Sequence, residues 1–143
     1  MREFKGRPVV TGNCKAKALV SHGGFNTLAS YRNCKEGIAV CADQNNLDLY
    51  NKSMVGMALC IPQTIGSTTG GMVLYNSSVI HCNPACLLLS KPIDSLAASG
   101  AILASVWSDS PIPTIDNLGD EFLEYVKEGM EITVKEDGTV IVE

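Results

Sequence analysis

Short apolar runs separated by glycine, proline and asparagine set the rhythm of this chain, and most are of strand length. Residues 4–11 and 15–21 are rich in β-formers and flank Thr11-Gly12-Asn13, a turn-like break that predicts a hairpin. Residues 37–42 and 112–115 read as further short strands, and 54–61 as a buried one. Near the C-terminus, 130–134 and 139–142 flank Asp137-Gly138, the strongest short hairpin signal present. Helical periodicity is rarer. Leu118, Phe122, Leu123 and Val126 share one helical face, with Gly129 as the stop. Residues 27–33 allow one or two helical turns, and 68–76 should be helical at least in part. Pro92 with Asp94 or Ser95 begins a short helix that Gly100 ends, after which 101–107 reads as a strand. Residues 78–81 and 85–90 are apolar runs split by Asn83-Pro84. Residues 43–53, with three Asn and two Asp, form a polar loop of a kind that tends to be functional or mobile. The sum is about eight short strands and three or four helices, an α+β or barrel-like mixed fold in one domain spanning 1–143.

One stretch stands apart from these runs. Ile65-Gly66-Ser67-Thr68-Thr69-Gly70-Gly71-Met72 places three hydroxyl residues between glycines, with apolar segments on both sides. Glycine lets the backbone approach a bound group closely. A helix starting here would leave the N–H groups of Thr68 to Gly70 free for an anion or a developing negative charge. This is a loop suited to a ligand or to chemistry, although the same composition also writes ordinary turns. A second glycine loop, His22-Gly23-Gly24-Phe25-Asn26-Thr27, follows the second β-rich run. His22 there is a candidate acid–base group or substrate contact, set against the commoner structural role of a lone loop histidine.

Composition narrows the function classes. With 45% hydrophobic and 18% charged residues the chain should fold, and 143 residues can bury roughly two thirds of the unfolded surface. A net charge of −4 gives no electrostatic case for nucleic acid or anionic membranes. Residues 119–143 carry eight acids and two lysines, a solvated face. No apolar stretch approaches the ~20 residues that span a bilayer, and Glu3, Lys5 and Arg7 interrupt any secretory signal, so a cytoplasmic protein is expected. The six cysteines (14, 34, 41, 60, 82, 86) then read as free thiols, mostly small core residues. His81-Cys82 and Cys86 resemble a fragment of a metal site, but a closed zinc site wants four ligands in paired short spacings. The Gly66 loop lacks the Gly-Lys-Ser/Thr ending of a P-loop, and no dinucleotide fingerprint is present. Trp107 reads as a core or interface residue.

Several of these features, in register, resemble the small subunit, or swivel domain, of the aconitase X family of dehydratases. They are the stretch GRPVVTGNCKAKALVS, the following Gly23-Gly24, the Pro-led PQTIGSTTGG, the run KPIDSLAASGAILA, the segment DSPIPTID and the closing acidic hairpin. The resemblance implies a swivelling β/β/α barrel-like domain that docks on a large subunit, with the active site between them. It implies a hydro-lyase that is inactive without that large subunit, and an iron–sulfur cluster or iron held mainly there, with none in this chain alone. It implies that Ser67 takes the substrate proton, with Gly66, Thr68, Thr69, Gly70, His22, Gly23 and Gly24 around the substrate. Family members act on mevalonate 5-phosphate or on cis-3-hydroxy-L-proline.

Chemistry fits this assignment. A serine hydroxyl is a poor base unless ionised, and a helix start supplies positive potential. One departure bears on the substrate: the family pattern has a basic residue just before the Gly-Ser pair, and here Ile65 stands there, with an aromatic before the Gly-Gly loop replaced by His22. The sequence therefore favours a small unphosphorylated hydroxy acid such as cis-3-hydroxy-L-proline. A mevalonate 5-phosphate dehydratase small subunit and a non-catalytic, small-anion-binding regulatory module are the alternatives. The partner-facing surface is expected at the loops 22–27, 43–53 and 65–71.

Overall fold

In the computed structural model, which describes residues 1–143, ten strands and four helices follow one another as β1 (Arg2–Lys5), β2 (Arg7–Val10), β3 (Cys14–Val20), β4 (Phe25–Asn26), α1 (Thr27–Ser30), β5 (Ala58–Ile61), β6 (Thr64–Ile65), α2 (Gly70–Val79), β7 (Cys86–Leu89), α3 (Ser95–Trp107), β8 (Thr114–Asp116), α4 (Asp120–Tyr125), β9 (Glu131–Val134) and β10 (Thr139–Val142). Eight strands form one sheet in the order β1-β10-β9-β3-β5-β7-β8-β2. Its two edges, β1 and β2, are consecutive in the chain and joined by Gly6 alone, so the sheet curls back on itself into a nearly closed barrel. This is the barrel-like α+β fold that the sequence implies.

The barrel has two halves with different logic. Strands β3, β5, β7 and β8 run parallel, and each parallel step needs a crossover. The crossovers from β5 to β7 and from β7 to β8 are α2 and α3. Strands β5 and β7 are buried along their whole length. Alternation then sorts their side chains: Leu59, Ile61, Leu87 and Leu89 join the core under the helices, while Ala58, Cys60, Cys86 and Leu88 join the core that Phe122 of α4 also enters. The other half is the antiparallel set β1-β10-β9-β3, whose burial alternates residue by residue in β9 and β10.

The hairpin around Asp137-Gly138 forms as expected, with Lys135 N–H donating to Thr139 O at 2.9 Å. The one expected at Thr11-Gly12-Asn13 does not. Strands β2 and β3 are separate neighbours of β8 and of β5 and β9, because closing the barrel takes β2 to the far edge. Residues 37–42 make only isolated bridges, Lys35 to Ile38 and Val40 to Ser53, and form no strand.

The largest correction concerns α3. Gly100 does not end a helix, and 101–107 is no strand: Ser95–Trp107 is one helix. Gly100 is instead where α3 meets α2. A Cβ on Gly100 would lie 2.2 Å from Gly71 O, and one on Gly71 would lie 2.2 Å from Leu96 O. A mid-helix glycine costs about 1 kcal/mol of helix propensity, and here it permits backbone-to-backbone contact between the two crossovers. Both helices therefore start close together, at the same end of the parallel strands.

Candidate active site

The two glycine loops meet. Strands β4 and β6 pair in parallel, Phe25 with Thr64 and Asn26 with Ile65, and Phe25 N–H donates to Gln63 O at 2.8 Å. Gly24 lies under Ile65, with room for no side chain: a Cβ would fall 2.7 Å from Ile65 Cγ2. Asn26 then begins α1, its Oδ1 accepting from Ala29 N–H at 3.1 Å. Gly66 has φ of +101°, a conformation that side chains rarely adopt, and a Cβ there would also strike Asn26 at 2.7 Å.

This tight turn delivers Ser67 to the head of α2. A cleft of about 160 Å³ opens there, walled by Thr27, Thr64, Ser67, Gly70, Asp94 and Leu96, with Gly66 and Ile65 at its side. Because Gly70 and Gly71 come from the first turn of α2, and Leu96 and Ala97 from the first turn of α3, the cleft faces the positive ends of two helices of ten and thirteen residues.

Ser67 is exposed and held by its own neighbours. Its Oγ accepts from Thr69 N–H at 3.1 Å and lies 2.8 Å from Thr69 Oγ1. Its carbonyl accepts from Gly70 N–H at 3.1 Å. The expectation of free N–H groups from Thr68 to Gly70 is therefore corrected: those of Thr69 and Gly70 already point at Ser67. Thr69 occupies the N-cap position of α2, yet its side chain makes no capping bond and turns to the serine instead. For a neutral hydroxyl these are ordinary bonds. For an alkoxide they are two donors already aimed at the charge.

Asp94 was legible in the sequence as a helix cap and not as a site residue. It caps α3, with Oδ2 accepting from Ala97 N–H at 3.0 Å, and Oδ1 accepts from Thr64 Oγ1–H. Held at both oxygens, Asp94 pins β6 to α3 and shapes the cleft. Thr27 and Thr64, also in the wall, carry no sequence signal beyond their place beside the glycine loops.

The remaining expected site residues fall outside this cleft. Thr68 is exposed and makes no side-chain hydrogen bond to its neighbours. Gly23 and Gly24 wall a separate depression of about 440 Å³ with Asn45, Leu47 and Asp48, and Ile65 is the wall it shares with the Ser67 cleft. His22 is exposed and turned to the 43–53 loop, where its N–H donates to Asp48 Oδ2 at 2.8 Å and its Nδ1 is 3.5 Å from the same oxygen.

The thiols are all free, and four of the six are buried. Burial pushes the Cys60 thiol well up, as for a small core residue. No group of three or more His, Cys, Asp and Glu side chains is arranged to hold a metal ion, so the donor set of this chain does not fit an iron–sulfur cluster. No helix is long and apolar enough to cross a membrane.

Known proteins share this architecture. The sequence family described as the aconitase X swivel domain matches residues 3–142. A relative from Methanosarcina mazei, a phosphomevalonate dehydratase small subunit, is 30% identical over 92% of this chain and 84% of its own. One of the same name from Methanocella arvoryzae is 30% identical over 96% of this chain and 94% of its own. Among solved structures, aconitase X from Thermococcus kodakaraensis superposes with a TM-score of 0.85 at 25% identity, covering 100% of this chain and 99% of that one. The solution structure of a UPF0107 protein gives 0.81 at 27% identity over 99% of both. The curled sheet and its helices thus belong to a known plan: this chain is a member of the aconitase X family, a swivel domain of the kind that forms the small subunit of its dehydratases.

Proposed function

We propose that this chain works with a large subunit as a dehydratase of mevalonate 5-phosphate, and that Ser67 is the proton acceptor. The observation that carries the serine assignment is its setting. Thr69 N–H at 3.1 Å and Thr69 Oγ1 at 2.8 Å converge on Ser67 Oγ at the head of α2, inside a cleft that two helix starts face. As an alkoxide, Ser67 takes the proton from the carbon next to the substrate carboxylate. The electron pair of that C–H bond becomes the double bond, and hydroxide leaves from the adjacent carbon. Preorganised donors lower the cost of the alkoxide without moving during the step.

The substrate reading is supported by the relatives named phosphomevalonate dehydratase small subunit, which match nearly the whole chain. The preference for an unphosphorylated hydroxyproline gives way on this point, since Ile65 excludes a cation only at its own position. In this reading Gly66 and Gly70 shape the serine turn, Thr69 serves the serine, and Thr68, His22, Gly23 and Gly24 form the outer rim toward substrate and partner. The large subunit brings the iron centre. Free thiols throughout suit a reducing cytoplasm.

The test is turnover by the complex of this chain with its large subunit, assembled without oxygen and offered both substrates. Dehydration of mevalonate 5-phosphate is expected. Turnover of cis-3-hydroxy-L-proline alone would overturn the substrate, and full activity of a Ser67→Ala complex would overturn the base.

A further inference from the structure

Three depressions share Ile65 as a wall: the Ser67 cleft, the one at Gly23-Gly24, and a third of about 420 Å³ lined by Asn26, Arg32, Asp43, Gln44 and Asn45. Arg32 is the only cation that lines any of them. It follows Tyr31, the C-cap of α1, whose ring is buried and packs edge-on to Phe25 at 6.3 Å. The backbone that carries Arg32 is thus fixed to the same β4–β6 unit that carries Ile65 and the serine turn. Arg2, Lys5, Arg7, Lys15 and Lys52 are each ion-paired with a carboxylate, and Arg32 is not. Asp43 lines the same depression, but its Oδ1 already accepts from Asn45 N–H at 3.0 Å and it makes no ion pair with Arg32.

We propose that Arg32 is the anion clamp of this active site and takes the phosphate of the substrate. The proposal rests on the mevalonate 5-phosphate reading given above. A substrate with its reacting carbon at Ser67 and its methylene chain against the half-exposed Ile65 side chain carries its phosphate into the Arg32 depression. There a guanidinium offers paired N–H donors matched to phosphate oxygens, and the Gln44 and Asn45 side-chain amides supply neutral donors beside it. An apolar residue between base and cation suits a substrate whose middle is hydrocarbon. Arg32 would act on binding and not on the proton transfer.

Two measurements on the full chain separate this proposal from the reading it rests on. In the active complex, Arg32→Gln is expected to raise KM for mevalonate 5-phosphate by about 10- to 100-fold, the worth of hydrogen bonds to a charged group, with kcat nearly unchanged. Arg32→Lys should recover part of the loss. An unchanged KM in an active Arg32→Gln complex overturns the clamp while leaving the substrate intact. The second measurement does not depend on turnover: inorganic phosphate is titrated into this chain and followed by amide NMR. Shifts at Arg32, Gln44 and Asn45 that vanish in Arg32→Gln support phosphate capture by Arg32 independently of the turnover assay. Shifts that persist in the variant, or none in the wild type, overturn it.

Discussion

The loops at Gly23-Gly24 and at Gly66-Ser67 look alike in sequence and lie against each other through β4 and β6, yet their glycines do different work. Gly24 makes room: its missing side chain is where Ile65 sits. Gly23 has nothing within 4 Å of a would-be Cβ. Gly66 makes a conformation, with φ at +101°, and that turn aims Ser67 at the start of α2. The first loop is followed by a helix of four residues, the second by one of ten. Positive potential at a helix start comes from aligned peptide dipoles, so the longer helix supports charge chemistry that the four-residue one does not. Glycine content marks a loop as special, and the element that follows decides for what.

Several changes would break or sharpen that contrast. The largest effect is expected at Ser67. Ser67→Ala removes one oxygen from an exposed loop, so the domain should fold and bind its partner normally, while kcat falls by about 10²–10⁴-fold or more. Unfolding curves beside single-turnover rates check both halves, and near-normal turnover would assign the base to the large subunit.

Gly66→Ala should come close to that loss by another route. The added Cβ meets both a forbidden φ and the Asn26 side chain that caps α1. Strain of about 1–3 kcal/mol is expected, visible as a lower melting temperature together with a raised KM. In the first loop, Gly23→Ala should leave the melting temperature unchanged, because nothing lies within 4 Å of the added Cβ. Gly24→Ala should raise KM by displacing Ile65.

Thr69 and Thr68 separate next. Thr69→Ala removes a hydroxyl 2.8 Å from Ser67 Oγ and keeps the N–H bond, so kcat should fall about 10-fold or more if the serine ionises. Thr68→Ala touches no such bond and should change kcat by no more than about twofold. Equal losses at both positions would mean that the hydroxyls only shape the loop.

The smallest effect lies away from both loops. Asp109, at 3.0 Å from Nε2, and Glu36, at 3.4 Å from Nδ1, hold the His81 pKa above the ordinary 6.5. A raised folded-state pKa means that the stabilisation is fully present below the unfolded value of about 6.5 and is lost as pH rises through the folded value. A His81→Gln variant should lose melting temperature relative to wild type at acidic pH and match it at alkaline pH. A pH-independent difference would show that the backbone of His81, at φ of 55°, matters more than its charge.

Much of this molecule was legible in its residue order. The turn before α2, the Asp137-Gly138 hairpin and the Asp94 cap are local signals, satisfied by residues within a few positions of one another, and each is found where the sequence puts it. The helix carrying Phe122 and Leu123 is shorter than its periodicity, Asp120–Tyr125, with Leu118 and Val126 outside it. Long-range partnerships were not legible. Barrel closure moved β2 away from β3 and dissolved a hairpin that was locally reasonable. Contact between two helices turned Gly100 from a stop into a passage, because only a neighbour at backbone distance explains a glycine inside a helix. The same assembly brought Asp94 to Thr64 and the serine cleft, and Arg32 to a depression beside it, across gaps of about thirty residues that no local pattern spans. Sequence chose the reactive group and the turn that presents it; tertiary packing chose its surroundings, since cleft walls and charge partners are set by which elements the closed sheet leaves side by side.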